Sequence, residues 1–124
     1  MQQLLSRLQN RGIMLAVASN KFQEGAEKLV SEFFPDINFV AVLGNSPELP
    51  LKPDAAVVQL IMEKAGVGRE ETVFVGDSAT DMKTASNGGV RSIGVSWGFR
   101  PRTDLQASGA MDIADNAEEL FEKI

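Results

Sequence analysis

The chain has 124 residues, enough for one core that buries roughly two-thirds of its unfolded surface. Its 44% apolar and 23% charged residues exclude wholesale disorder, and a formal charge of -5 without any basic run opposes nucleic-acid or anionic-membrane partners. With no cysteine and no histidine, disulfides, thiolate chemistry and the usual zinc ligands are all excluded, leaving carboxylates, hydroxyls, lysines and a hard cation such as Mg²⁺.

The first element is a helix, since Leu4, Leu5 and Leu8 share one face. It starts almost at the first residue, without a cap or turn before it, and Gly12 ends it. Ile13 to Ala18 reads as a buried strand arriving at Ser19-Asn20. A second helix follows, with Phe22, Ala26, Leu29, Val30 and Phe33 on its apolar side and Pro35 as its stop. Phe39 to Leu43 is the next strand, and a loop through Gly44 and Pro47 leads to Leu51-Lys52-Pro53-Asp54. Pro53 suits the first turn of a helix running to about Ala65 and closed by Gly66.

Thr72-Val73-Phe74-Val75-Gly76 is a short apolar run rich in β-branched and aromatic residues, halted by glycine, and predicts a central buried strand. Asp77 stands at its carboxyl end and Asp81 in the first turn of the next helix, which runs through Met82 and Ala85 to Asn87-Gly88-Gly89. Ser92 to Ser96 is a further strand, Trp97 to Gly109 a loop, Met111 to Ala114 a weak strand and Ala117 to Phe121 a terminal helix. Strands alternating with helices predict a doubly wound, mostly parallel α/β sheet in a single domain spanning residues 1–124. The longest aliphatic run is too short to span a bilayer and no leader pattern opens the chain, so a cytoplasmic location is expected.

In such a sheet, ligands bind at the carboxyl ends of the strands. Ser19, Lys52, Asp77 and Asp81 are all expected at that edge. Each has a plain structural explanation: Asn20 with Gln23 as a helix cap, Lys52 as a solvated lysine, Ser78 with Asp81 as an N-cap pair. Jointly they carry more. Two carboxylates about 5 Å apart repel by roughly 3 kcal/mol at an effective dielectric near 20, so they invite a cation or a protonated lysine. A phosphate group then fits a hydroxyl, helix-start amides, an ammonium and a bridging metal.

Ala18-Ser19-Asn20, then Leu51-Lys52-Pro53-Asp54, then Val75-Gly76-Asp77-Ser78-Ala79-Thr80-Asp81 resemble motifs two, three and four of the haloacid dehalogenase superfamily. The text through Ala85, Gly89, Ile93-Gly94-Val95 and Trp97-Gly98-Phe99 is similar to its phosphoglycolate phosphatase-like branch. The resemblance implies a Rossmann-like core and Mg²⁺-dependent hydrolysis of a small phosphorylated metabolite. It implies that Ser19 binds the phosphoryl group, Lys52 neutralises it, and Asp77 holds Mg²⁺ while Asp81 supports metal water or the lysine. Asn20 and Ser78 would be secondary contacts.

Ala55 replaces a second proline that the third motif often carries. A larger departure is that the family's Asp-x-Asp, which supplies the nucleophile and the acid/base, occurs nowhere in the sequence. Asp112 and Asp115 are spaced wrongly for it, and the helical cap is missing too. The sequence therefore reads as the later, truncated part of such a phosphatase, inactive alone. The rival reading is a non-catalytic module that binds Mg²⁺, phosphate or a partner. A phospho-receiver domain would need its acids first and its hydroxyl and lysine last, the reverse of this order, and no Gly-x-Gly-x-x-Gly supports a dinucleotide site. The family's first strand lies between the strands ending at Ser19 and Asp77. Its loss predicts either direct pairing of those two strands, the favoured outcome, or self-association through open edges.

Overall fold

A computed structural model describes residues 2–98 and 101–124. Phe99 of the Trp97-Gly98-Phe99 stretch lies outside them. The chain runs α1 (Gln2–Asn10), β1 (Leu15–Phe22), α2 (Gln23–Phe33), β2 (Phe39–Asn45), α3 (Ala56–Ala65), a 3₁₀ turn (Arg69–Glu71), β3 (Val73–Gly76), α4 (Ala79–Gly88), β4 (Arg91–Val95), α5 (Arg102–Ala107), β5 (Asp112–Ala114) and α6 (Ala117–Lys123). All strand pairs in the ladders are parallel, as a strand–helix alternation requires.

The strands do not form one sheet. β1 pairs with β2, and β3, β4 and β5 form a second ladder with β4 in the centre. β1 and β3 are not hydrogen-bonded to each other. The favoured expectation of direct closure thus fails. Leu4 and Leu8 of α1, Val58 and Ile61 of α3 and Leu120 of α6 line a cleft that both strands also line.

Three clusters make up the core. Leu4, Leu8 and Leu120 of the α1/α6 layer pack on Ile93, Val95 and Ala114 of the sheet. On the opposite face, Val57, Val58, Ala85 and Val90 join α3 to α4. Met82, Leu105 and Ile113 seat α5. This is a three-layer arrangement with β4 as the best-covered strand: Ser92 to Val95 are all buried.

Several boundaries differ from the sequence reading. Pro53 is not in the first turn of α3, which starts at Ala56. Asp54 Oδ1 instead accepts from the Ala56 amide at 2.8 Å, a side-chain turn that postpones the helix. Gly66, at φ +70°, closes that helix, its amide donating to the Met62 and Glu63 carbonyls. Between Trp97 and Gly109, where a loop was expected, α5 forms because Leu105 is wholly buried against the sheet. The apolar side proposed for α2 is mostly outside: Ala26 is buried and Val30 half-buried, while Phe22, Leu29 and Phe33 are exposed. A two-stranded sheet is too narrow to cover the stripe its helix carries.

Candidate functional site

The carboxyl end of β1 is shaped by a bulge. Ala18 pairs with Leu43 and Phe22 with Asn45, so Ser19, Asn20 and Lys21 stand opposite Gly44 alone. Such bulges re-aim side chains beside functional sites. Lys21 donates its amide to Ser19 Oγ at 3.1 Å, and the Lys21 carbonyl lies where a side chain at Gly44 would stand, 2.6 Å from an added Cβ. Gly44 is therefore a structural condition of the bulge that presents Ser19. Gln23 locks the same corner, accepting from the Gly44 amide at 2.6 Å and donating to the Val42 carbonyl at 2.7 Å.

Asn20 does not cap α2, whose start has no side-chain cap. It clamps the Lys52 loop from both sides: its Oδ1 accepts from the Lys52 amide at 3.0 Å and its Nδ2 donates to the Lys52 carbonyl at 3.4 Å. Asn87 at the end of α4 holds the next carbonyl, Pro53, at 2.9 Å. The Lys52-Pro53 peptide between these clamps is cis. The sequence carried no signal for Asn87, because an asparagine near a helix end reads as an ordinary terminator.

Lys52 is not a solvated lysine. Its Nζ meets Asp81 Oδ1 at 2.7 Å, and the two side chains are only 13% and 11% exposed. The second Asp81 oxygen accepts from the Asp77 amide at 3.1 Å, so both oxygens of Asp81 are engaged in fixing the lysine and the turn. Ser78 caps α4, its Oγ accepting from the Asp81 amide at 3.2 Å. The cap reading and the site reading therefore both hold: the cap is what fixes Asp81. Gly76 is required here, since an added Cβ would run into the Asp81 carboxylate, and at Gly98 it would run into that of Asp77. Ser19, Lys52, Asp77 and Asp81 all line one cleft, so the four residues are brought to one edge.

Hard oxygen donors suit Mg²⁺, which keeps several waters and takes one or two carboxylates. Asp77 fits that part. No group of three or more acidic side chains is gathered for a metal among the described residues. Asp112 and Asp115 lie elsewhere. Asp112 binds Lys123 at 2.8 Å and Arg91 at 3.6 Å, and the Lys123 hydrogen bond first of all holds its pKa below the ordinary carboxylate value. Asp115 accepts from Ser96 at 2.7 Å and from Arg102 at 2.9 Å, which lowers its pKa likewise.

The strand ends of this parallel α/β fold thus gather a hydroxyl, a lysine and two carboxylates in one cleft. The sequence matches the haloacid dehalogenase-like hydrolase family over residues 1–95. The chain belongs to that family. It is 29% identical over 123 residues to phosphoglycolate phosphatase of Vibrio parahaemolyticus, covering 99% of this chain and 54% of the relative. It is 34% identical to that of Agrobacterium fabrum, covering 97% and 53%. The crystal structure of a phosphoglycolate phosphatase candidate from Lactobacillus delbrueckii subsp. bulgaricus superimposes with a TM-score of 0.94 at 39% identity, over 99% of this chain and 51% of that one. The chain spans about half the length of the curated relatives it matches.

Proposed function

We propose that this chain is the phosphate- and metal-binding portion of a Mg²⁺-dependent phosphatase that acts in the cytoplasm on a small phosphorylated metabolite of the phosphoglycolate kind. The observation that carries the reading is the buried Lys52–Asp81 pair tied to the Asp77 turn and facing Ser19 across one cleft. Burying such a pair costs desolvation that a merely structural contact seldom offsets, and the relatives named for phosphoglycolate phosphatase supply the substrate class.

In this reading Ser19 Oγ donates to the phosphoryl oxygens. Lys52 Nζ neutralises them. Asp81 holds the lysine in place and orders the turn. Asp77 holds Mg²⁺, which would supply further charge neutralisation when bound. Asn20 fixes the loop on which Lys52 stands. No Asp-x-Asp is present to supply an attacking carboxylate and its acid/base partner, so the chain alone binds without turning over. That same absence favours, as the second reading, a module that binds Mg²⁺ and phosphate without catalysis.

Titration of the chain with inorganic phosphate in the presence of Mg²⁺, followed by ³¹P NMR, tests the site. Saturable binding weakened by both Ser19→Ala and Lys52→Met is expected, and binding indifferent to both would end the reading. With p-nitrophenyl phosphate the purified chain should show no turnover. Mg²⁺-dependent hydrolysis lost in Asp77→Ala would overturn the inactivity of the isolated chain.

A further inference from the structure

α4 is firmly seated. Met82, Thr84 and Ala85 are wholly buried, and its last turn is pressed on α3, where a Cβ added at Gly88 would stand 3.0 Å from Val58 Cγ1. Such a helix acts as a rigid arm, because close-packed interiors transmit displacement instead of absorbing it. Both ends of this arm reach one loop. Asp81, in the first turn, meets Lys52 Nζ at 2.7 Å, and Asn87, in the last, donates Nδ2 to the Pro53 carbonyl at 2.9 Å. The two residues lie about 9 Å apart along the axis at the ordinary helical rise.

The ion pair alone leaves the position of the lysine's main chain open. A lysine is a point charge on a flexible four-carbon stem, so its ammonium can stay on Asp81 while the backbone beneath it shifts. Asn20 grips the amide and the carbonyl of Lys52, but it belongs to β1, whose ladder is separate from that of β3. It ties the loop to Ser19, not to the two carboxylates. Asn87 stands on the helix that carries Asp81 and starts directly after the Asp77 turn. Its bond to Pro53 registers the Lys52 main chain against those carboxylates.

We propose that Asn87 is a positioning residue for Lys52: by holding the Pro53 carbonyl it fixes the reach of the lysine from its main chain to Asp81. The functional consequence rests on the phosphatase reading, in which Ser19 Oγ and Lys52 Nζ meet the same phosphoryl group. Ser19 stands on one ladder, and the partner of Lys52 on the helix packed against the other. Their separation is set by the loop between them, held on one side by Asn20 and on the other by Asn87. Without Asn87 the loop swings about Asn20 while Nζ stays on Asp81, and phosphate affinity falls through a displaced lysine. Asn87 itself touches neither phosphate nor metal.

The test places Asn87→Leu, which keeps the side chain's size and removes its donor, in the full 124-residue chain. The first arm contains neither metal nor phosphate and so stands apart from the phosphatase reading. By NMR hydrogen exchange the Lys52 amide, bonded to Asn20, should exchange about fivefold faster, the equilibrium worth of one hydrogen bond, while the amides of β4 keep their rates. The second arm follows inorganic phosphate with Mg²⁺ by ³¹P NMR. Asn87→Leu should weaken binding about fivefold when Lys52 is present, and leave the residual binding of Lys52→Met unchanged, because it acts through the lysine. The proposal is overturned by an unchanged Lys52 amide, by β4 amides that speed up equally, or by a loss of phosphate affinity that persists in full in Lys52→Met. If Asn87→Leu does not fold, Asn87→Asp, with the native shape and no donor, decides by the same readings. A chain that binds no phosphate removes the phosphatase reading and leaves the first arm to decide whether Asn87 holds Lys52.

Discussion

At the scale of single residues, the site rests on one ion pair and three glycines, Gly44, Gly76 and Gly98. Lys52 and Asp81 are nearly buried and each is the other's charged partner. Removing one strands the other, an effect of about 3 kcal/mol for buried pairs. Lys52→Met should therefore lower the urea midpoint sharply, and Asp81→Leu added to it should recover part of the loss. Additive losses in that double-mutant cycle would show the pair to be uncoupled. Gly98 is exposed, but an added Cβ would strike the Asp77 carboxylate. Gly98→Ala should weaken Mn²⁺ binding, read by electron paramagnetic resonance, several-fold with little change in the urea midpoint, because Asp77 must turn aside while the exposed backbone stays put. Unchanged Mn²⁺ affinity would remove Gly98 from the metal-positioning role.

At the scale of elements, α6 is tied to the sheet by charge as well as by Leu120. Lys123 donates to Asp112 of β5 and Arg7 of α1 pairs with Glu118, while the Arg7 guanidinium also lies 3.9 Å above the Phe121 ring. Asp112 has a folded pKa below its unfolded one. Its stabilising contribution is thus present above the ordinary carboxylate range and is lost as pH falls through the depressed value. Asp112→Asn should flatten the acid limb of stability below about pH 4, where ordinary carboxyls titrate, and leave stability near pH 7 lower by a small amount. A steeper acid limb in the variant would contradict this sign. In α2, Gly25 meets nothing within 4 Å and has ordinary helical backbone. Gly25→Ala should raise stability by about 0.5–1 kcal/mol, the usual entropic gain in a helix interior. A loss in thermal or urea unfolding would mean that this face is covered after all.

At the scale of the whole molecule, the two ladders differ in cover, and local stability should follow. Amides of β4 should exchange with the slowest rates in the chain, near global unfolding, while alternate amides of β1 and β3 exchange much faster through the open cleft. Equal protection of all three strands in the isolated chain, by NMR exchange, would mean that the cleft is closed in solution.

The sequence by itself determined the order and type of most elements and the four polar residues of the edge. Apolar periodicity, glycine stops and proline positions are local signals, and motif spacing is written in the chain. It was also enough to show that no Asp-x-Asp is present. Only the tertiary structure decided the rest. It turned Lys52 from an ordinary surface lysine into a buried partner of Asp81, and Asn20 from a helix cap into a clamp on a loop 32 residues away. It built α5 on the burial of Leu105, left Leu29 and Phe33 exposed on α2, and kept β1 and β3 in separate ladders. These outcomes depend on which surfaces meet across the fold. A residue's propensity is the same whether its neighbour is water or a packed side chain, and that neighbour is chosen by the fold as a whole.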